Sequence, residues 1–182
     1  MKPIKGYNDA KASGDFERLP AGGYVIKITG VKDESKPDKQ YLKIIYDIAE
    51  GPEAGRYANE DPENDYRHSF IRSYKDTALG MLKAFLQAVD ETNGSKLGET
   101  VETGLDEQRL VGLYLGVVLG YEEYETNAGD VKERLYVKSC KTAKQIQEGD
   151  FKVPELKKLK AKTSAAAIPE GFTALTDADL PF

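Results

Sequence analysis

A chain of 182 residues, 40% hydrophobic and 31% charged, has the size and balance of one globular domain with tails. It lacks the run of about 18 apolar residues that a transmembrane helix needs. Its first fifteen residues contain no apolar stretch of the kind found in a secretory signal, so none is expected. Because Cys140 is the one cysteine, no internal disulfide can form, which favours a reducing, cytoplasmic setting.

The net charge of −5 is unevenly distributed along the chain. Residues 131–162 contain ten Lys or Arg residues and four acidic ones, whereas residues 163–182 contain three acidic residues and no basic one. A second acidic stretch, residues 47–66, has seven carboxylates and one arginine. A solvated surface explains each run equally well, but a basic segment between two acidic ones keeps nucleic acid among the candidate partners.

The first half of the chain predicts three strands. Residues 1–18 form a polar lead-in, and the turn signal "LPAGG" then precedes an alternating strand over 23–32. A second alternating strand covers 40–49, and a third covers 65–72 after the long acidic loop. The alternation of the third strand leaves open which of its two faces points inward.

One helix is predicted after the third strand. Ser73 with Asp76 three residues later resembles a capping box, and Gly94 has the position of a glycine that ends a helix. Apolar residues between them recur at helical spacing and predict a stripe that faces the core. The stripe consists of Ala78, Leu79, Met81, Leu82, Phe85, Leu86 and Val89.

Two further strands are predicted in the C-terminal half. The segment "RLVGLYLGVVLGYEEYE" predicts a long, curved strand over 110–125, in which Gly112, Gly116 and Gly120 mark bends or bulges. The spacing of these glycines also fits close helix packing, which is the alternative. The turn "TNAGD" then leads into a fifth strand from Val131, and "KQIQEGD" predicts one helical turn.

Three strands, a helix and two strands form the element order of the OB-fold, a small and partly open β-barrel. Glycine-rich strands suit a barrel that coils sharply, although other small β-rich folds share a five-strand order. We therefore expect a mainly β protein with a loose lead-in over 1–18 and an OB-like body over 19–150. A basic extension over 151–162 and a flexible linker with an acidic tip over 163–182 follow the body.

Residues that catalysis or cofactor binding would need are scarce. His68 and Cys140 are the one histidine and the one cysteine, and no phosphate-binding loop, dinucleotide fingerprint or zinc-protease motif is present. We expect no enzyme activity, no cofactor and no metal site. A hydrolase or nuclease with a carboxylate metal site in the acidic loop is the least favoured alternative.

Basic and aromatic residues alternate on strand faces opposite the aliphatic ones. A sequence-tolerant site for single-stranded nucleic acid needs this combination, because cations bind phosphates and aromatic rings stack on bases. Strand tyrosines more often pack in cores, and strand lysines commonly protect sheet edges, but the coincidence on at least two strands favours binding. The candidate DNA-binding residues are Lys27, Tyr41, Lys43, Phe70, Arg72, Lys132, Arg134, Tyr136 and Lys138. Phe70 and Arg72 belong to this set if Ile71 points into the core.

Four segments resemble the single-stranded DNA-binding proteins of bacteriophages of Gram-positive hosts. They are "LPAGGYVIKITGV", "YLKIIYDIAEG", "FIRSYKDTALGMLKAFLQAV" and "GDFKVPELKKL", and the similarity runs over most of residues 15–160. The resemblance implies an OB-like core, sequence-tolerant binding of single-stranded DNA, and a role in phage DNA replication or recombination in the host cytoplasm.

The segment "DADLPF" resembles the acidic C-terminal tip of bacterial single-stranded DNA-binding proteins, although Ala178 dilutes the run of acids. This resemblance implies docking onto replication, recombination or repair proteins. A tethered acidic tip could meet a basic rim on a partner, and proline reduces the ordering cost. The predicted partner-binding residues are Asp177, Asp179, Leu180, Pro181 and Phe182.

Two functions from different classes follow. The leading prediction is a single-stranded DNA-binding protein that recruits partner proteins through its tip and has no membrane partner. Open barrel edges allow either a homo-oligomer or a monomer. The alternative is an OB-like adaptor that binds replication or recombination proteins without binding DNA. The negative net charge favours the adaptor, and the basic-aromatic strand faces favour DNA binding.

Overall fold

The computed structural model describes residues 18–37, 39–59 and 62–159, with the backbone alone at residues 62–64. Five strands form one antiparallel sheet: β1 is Gly22–Asp33, β2 is Tyr41–Ile48, β3 is Ser69–Ser73, β4 is Tyr114–Glu125 and β5 is Val131–Lys141. Their order across the sheet is β3-β2-β1-β4-β5. Helix α1, Leu79–Asn93, lies between β3 and β4, and helix α2, Ala143–Gln147, follows β5. This confirms the predicted mainly β, OB-like architecture with one helix between the third and fourth strands.

Nearly all of the lead-in, the end of the basic extension, and the linker with its acidic tip lie outside the described residues. Neither helix in the described ranges has both the length and the apolar character needed to cross a bilayer.

The inner face of the sheet holds the main core because the strands alternate as the sequence predicts. On β2, the residues Leu42, Ile44, Tyr46 and Ile48 are buried, while the intervening residues are less covered. Helix α1 packs against this face, and the ring of its Phe85 meets the ring of Phe70 on β3 edge to face, with 5.9 Å between centroids.

The helix begins later than predicted. Ser73 ends β3 and its hydroxyl accepts a hydrogen bond from the amide of Lys75, while a short 3-10 helix, Asp76–Ala78, precedes α1. The buried stripe of α1 is also narrower than the predicted stripe, because Leu79 and Met81 are exposed. Gly94 ends α1 with φ 66°, as predicted, since glycine tolerates the left-handed conformation.

Two predicted strands begin later than their sequence patterns indicate. Residues Pro62–Arg67 form a 3-10 helix, so β3 begins at Ser69 and not at residue 65. The fourth strand begins at Tyr114, because a 3-10 helix over Glu107–Leu110 and a turn at Gly112, with φ 90°, come first. The predicted single helical turn after β5 is confirmed as α2, which is capped by the Thr142 hydroxyl.

The barrel is open between its two edge strands. Within the described residues, no backbone ladder joins β3 to β5. A side-chain contact bridges this gap, because the guanidinium of Arg72 donates to the Cys140 Sγ atom over 3.0 Å. Burial raises the pKa of the Cys140 thiol, although the nearby Arg72 charge acts in the opposite direction.

A second, smaller core lies on the outer face of β1 and β4. Residues 142–159, here called the strap, cross this face after β5. Val25 and Val118 of the sheet are buried against Ile146 of the strap, and Phe151 packs on the same cluster. Further along, the strap makes a parallel bridge to β4, in which Lys157 donates its amide to the Tyr121 carbonyl over 3.0 Å.

Three glycines allow the strap to approach the sheet this closely. A Cβ atom at Gly23 would lie 2.5 Å from the Phe151 ring, one at Gly116 would lie 2.5 Å from the Thr142 carbonyl oxygen, and one at Gly120 would lie 2.5 Å from Pro154. Gly116 and Gly120 were predicted to mark bends or bulges. In the structure, these two glycines leave room for the strap to contact β4. The register shift of β4 against β5 lies between Val118 and Leu119 and leaves Lys138 as the extra residue on β5.

Replacing Gly116 by alanine tests this contact. We expect Gly116→Ala to lower the free energy of unfolding by about 1–3 kcal/mol, because the new methyl group would meet backbone oxygens that cannot move away easily. Urea unfolding followed by circular dichroism measures the change. The matched control is Gly22→Ala, whose Cβ would lie 3.8 Å from Tyr24; its effect should stay within about 0.5 kcal/mol. Equal stability of the two variants would contradict the assignment.

Candidate nucleic-acid interface

The outer face of the sheet has two open regions, separated by the strap. One is the outer face of β1 and β2, where Lys27, Tyr41 and Lys43 of the predicted set lie. The other lies at the far end of the β4–β5 hairpin, where Lys132, Arg134 and Tyr136 lie. The structure therefore places six of the nine predicted residues in two groups of three.

The second region is built as a ladder of cross-strand pairs. Outward-facing residues of β4 meet their partners on β5 in the pairs Tyr124–Lys132, Glu122–Arg134 and Gly120–Tyr136. The strap adds a third row, because its Lys157 bridges to Glu122. We call this surface the hairpin site, and it consists of Glu122, Tyr124, Lys132, Arg134, Tyr136 and Lys157.

Glu122 is the electrostatic centre of the hairpin site. Its Oε1 atom accepts a hydrogen bond from Arg134 Nε at 2.9 Å and lies 2.8 Å from a terminal nitrogen of the same guanidinium. Its Oε2 atom accepts a hydrogen bond from Lys157 Nζ at 2.7 Å. The hydrogen bond from Lys157 lowers the pKa of the Glu122 carboxyl, partial burial raises it, and the hydrogen bond and charge of Arg134 lower it, so that the pKa lies below its ordinary value. Glu122 is therefore ionised at neutral pH.

The two cations also cover the two tyrosine rings of the hairpin site. The Arg134 guanidinium lies 5.4 Å from the centroid of the Tyr124 ring, and the Lys157 ammonium lies 5.5 Å from that of Tyr136. These are cation–π distances. Each ring is therefore placed beside a positive charge, which is the pairing that stacked bases and their phosphates need.

The first region carries its own ion-pair cluster. Lys32 and Lys43 are cross-strand partners on β1 and β2, and both bind the carboxylate of Asp65, at 3.2 Å and 2.6 Å. Burial alone raises the pKa of Asp65, but hydrogen bonds from the two lysines and their charges outweigh it, so that the pKa is lowered. Glu34 lies 3.9 Å from Lys43 and accepts a hydrogen bond from the Tyr41 hydroxyl.

Further along β1, Lys27 forms another cation–aromatic pair. Its ammonium lies 5.8 Å from the centroid of Tyr114, the first residue of β4 and its cross-strand partner. The Tyr114 ring is exposed. This pair is on the β1–β4 boundary, on the opposite side of the strap's apolar cluster from the hairpin site.

The prediction that Phe70 and Arg72 lie on the exposed face is wrong. Phe70 is 8% exposed and Arg72 is 5% exposed, whereas Ile71 is 56% exposed. The reason is the register with β2, which places Phe70 opposite Ile44 and Arg72 opposite Leu42 on the inner face. Arg72 lies over the Phe70 ring at 4.5 Å and cannot reach a ligand on the outer face.

Lys138, another residue of the predicted set, is exposed. It is the extra residue at the register shift between β4 and β5, so it does not follow the regular alternation of β5.

Three residues of the cation–tyrosine pairs were not predicted from the sequence. Tyr124 follows Glu122 and Glu123, so its segment looks acidic. The two-residue spacing of Glu122 and Tyr124 nevertheless indicates that both lie on the same face of a strand. Tyr114 lies at the edge of an apolar run that indicates a core strand. Lys157 comes from a segment with no strand pattern, and only its bridge to β4 places it at the site.

Comparisons with other proteins add no family or relative. No protein-family model matches the chain, and a search of curated proteins gives no match either. Within the described ranges, no three side chains of His, Cys, Asp or Glu are grouped as metal ligands would be.

The Asp65 ion pairs predict a pH-dependent loss of stability. Because the pKa of Asp65 is lowered in the folded protein, its contribution is complete above the unfolded pKa of about 4 and is lost as the pH falls through the lower folded pKa. We expect Asp65→Asn to be less stable than the natural chain by about 1 kcal/mol at pH 7, with a difference that shrinks below pH of about 4. Urea unfolding at both pH values measures this.

The control for this prediction is Asp130→Asn, in the exposed turn between β4 and β5. This variant should change stability little at either pH. A difference between Asp65→Asn and the natural chain that is the same at both pH values would show that the carboxylate charge is not responsible.

Proposed function

We propose that this chain is a sequence-tolerant single-stranded DNA-binding protein. The observation that carries the proposal is the set of cation–tyrosine pairs on the outer face of the sheet. Lys27 with Tyr114, Arg134 with Tyr124, and Lys157 with Tyr136 each combine a ring and a positive charge within 6 Å. Such pairs supply the two interactions that bind single strands without reading their sequence.

The physical chemistry of these pairs favours a single strand over a duplex. A base can stack on an exposed tyrosine face only when it is unpaired and splayed outward, while the adjacent cation attracts the phosphate. OB-like sheets bind oligonucleotides on an outer strand surface bounded by loops. The β4–β5 turn lies beside the hairpin site and the β1–β2 connection lies beside the Lys32 and Lys43 pair, which is consistent with this use.

The local charge also supports the proposal. The hairpin site contains three cations, Lys132, Arg134 and Lys157, and one carboxylate, Glu122, which pairs with the last two. The net charge of −5 does not exclude binding, because three of the acidic residues belong to residues 163–182. We include in the proposal that these residues recruit replication, recombination or repair proteins, as the resemblance to phage and bacterial proteins implies.

Oligonucleotide binding tests the function directly. The chain contains no tryptophan, so the measurement uses the fluorescence anisotropy of a fluorescein-labelled oligo-dT. We expect binding that weakens steeply with salt, and a double variant Lys132→Ala/Arg134→Ala whose log–log salt slope is smaller by about 0.7 for each lost phosphate contact. The control is Lys96→Ala, an exposed cation in the connection that follows α1. The adaptor alternative predicts no binding at low salt for the natural chain.

Stacking is tested at Tyr124. We expect Tyr124→Ala to weaken oligo-dT binding by about 1–3 kcal/mol, the range for one base–aromatic stack. Tyr124→Phe keeps the ring and should bind like the natural chain. If both variants bind as the natural chain does, the tyrosine does not stack on a base. A loss with phenylalanine as large as that with alanine would show that the hydroxyl group, and not the ring face, matters.

A further inference from the structure

Glu122 lies between two cations that come from different parts of the chain. Arg134 is its cross-strand partner on β5, and Lys157 reaches it from the strap. The Glu122 side chain is 13% exposed, whereas the side chains of Arg134 and Lys157 are 62% and 64% exposed. Both carboxylate oxygens are occupied, yet both cations keep large surfaces open to solvent.

A carboxylate held by an arginine and a lysine is chemically similar to a bound phosphodiester. Both ligands are anions that accept charge-assisted hydrogen bonds from these groups. A phosphate that approaches the hairpin site therefore meets cations that are already engaged by an anion. The neighbouring carboxylates of Glu123 and Glu133 bind the Leu159 amide and Arg18. Neither takes part in the interaction of Glu122 with Arg134 and Lys157.

We propose that Glu122 is an internal competitor of the DNA phosphate and thereby sets the affinity of the hairpin site. In the DNA-free protein it holds Arg134 and Lys157 over the tyrosine rings. When a single strand binds, a phosphodiester takes over hydrogen bonds from these cations. This inference rests on the proposed function and assigns Glu122 as a positioning residue.

The exchange of Glu122 for a phosphate also changes how the strap is attached to β4. Lys157 is tied to β4 through its side chain at Glu122 and through two backbone hydrogen bonds, one to the Tyr121 carbonyl and one from the Glu123 amide, at 3.0 Å and 2.9 Å. A phosphate that binds the Lys157 ammonium removes the first tie and leaves the backbone pair. Occupation of the hairpin site is therefore coupled to the attachment of the segment that leads towards residues 160–182.

The test is Glu122→Gln in the full chain, with labelled oligo-dT titrated over a series of salt concentrations. Glutamine has the same shape and removes one negative charge. We expect affinity at low salt to rise about three- to tenfold, and the log–log salt slope to steepen by about 0.7 for each cation that is freed for phosphate. The matched control is Glu99→Gln, which removes the same charge from an exposed pair with Lys96 and should leave the slope unchanged.

A second arm separates competition from a general charge effect. In an Arg134→Ala/Lys157→Ala background, Glu122→Gln should no longer steepen the salt slope, because no cation remains to be freed. A slope that steepens equally in that background, or a Glu122→Gln slope equal to that of Glu99→Gln while the natural chain binds, overturns the inference alone. Failure of the natural chain and of Glu122→Gln to bind oligo-dT at low salt overturns the proposed function as well.

Discussion

The close approach of the strap to β1 and β4 determines how much of the outer face of the sheet stays open to solvent. Gly23, Gly116 and Gly120 have no side chains in the path of the strap, so Phe151, Thr142 and Pro154 can lie against the sheet. This contact buries the middle of the outer face around Val25 and Val118. The same contact places Lys157 beside Glu122. Without it, the outer face would be a continuous surface and the hairpin site would lose one of its three cations.

The two open regions share one electrostatic design. In each, a carboxylate of low exposure bridges two cations from separate segments: Asp65 bridges Lys32 and Lys43, and Glu122 bridges Arg134 and Lys157. The bridging carboxylate fixes the positions of the cations and neutralises part of their charge. An acidic protein can in this way keep ordered cations on its surface. If the proposed function holds, the internal anion limits the affinity of these cations for an anionic ligand.

Much of the fold could be predicted because local patterns and burial agree. The alternation of β2 places Leu42, Ile44, Tyr46 and Ile48 on one face, and the structure buries these four residues. The buried face of the third strand could not be predicted in this way, since a five-residue strand containing Phe70, Ile71 and Arg72 can bury either face. Its orientation depends on pairing with β2 and on the Phe85 ring of α1, which are long-range contacts. Arginine is rarely buried, so the sequence alone does not indicate that Arg72 lies on the inner face.

The sequence by itself determined the element order, the OB-like class and the positions of Lys132, Arg134 and Tyr136 on one strand face, because hydrophobic periodicity is a local property. Only the tertiary structure decided which cations meet which rings. Tyr124 pairs with Arg134 through the β4–β5 register. Lys157 lies 21 positions after Tyr136 in the sequence and pairs with it through the strap. The reason is physical: strand alternation assigns a side chain to a face, whereas register and close packing assign its neighbours, and these depend on residues distant in the sequence.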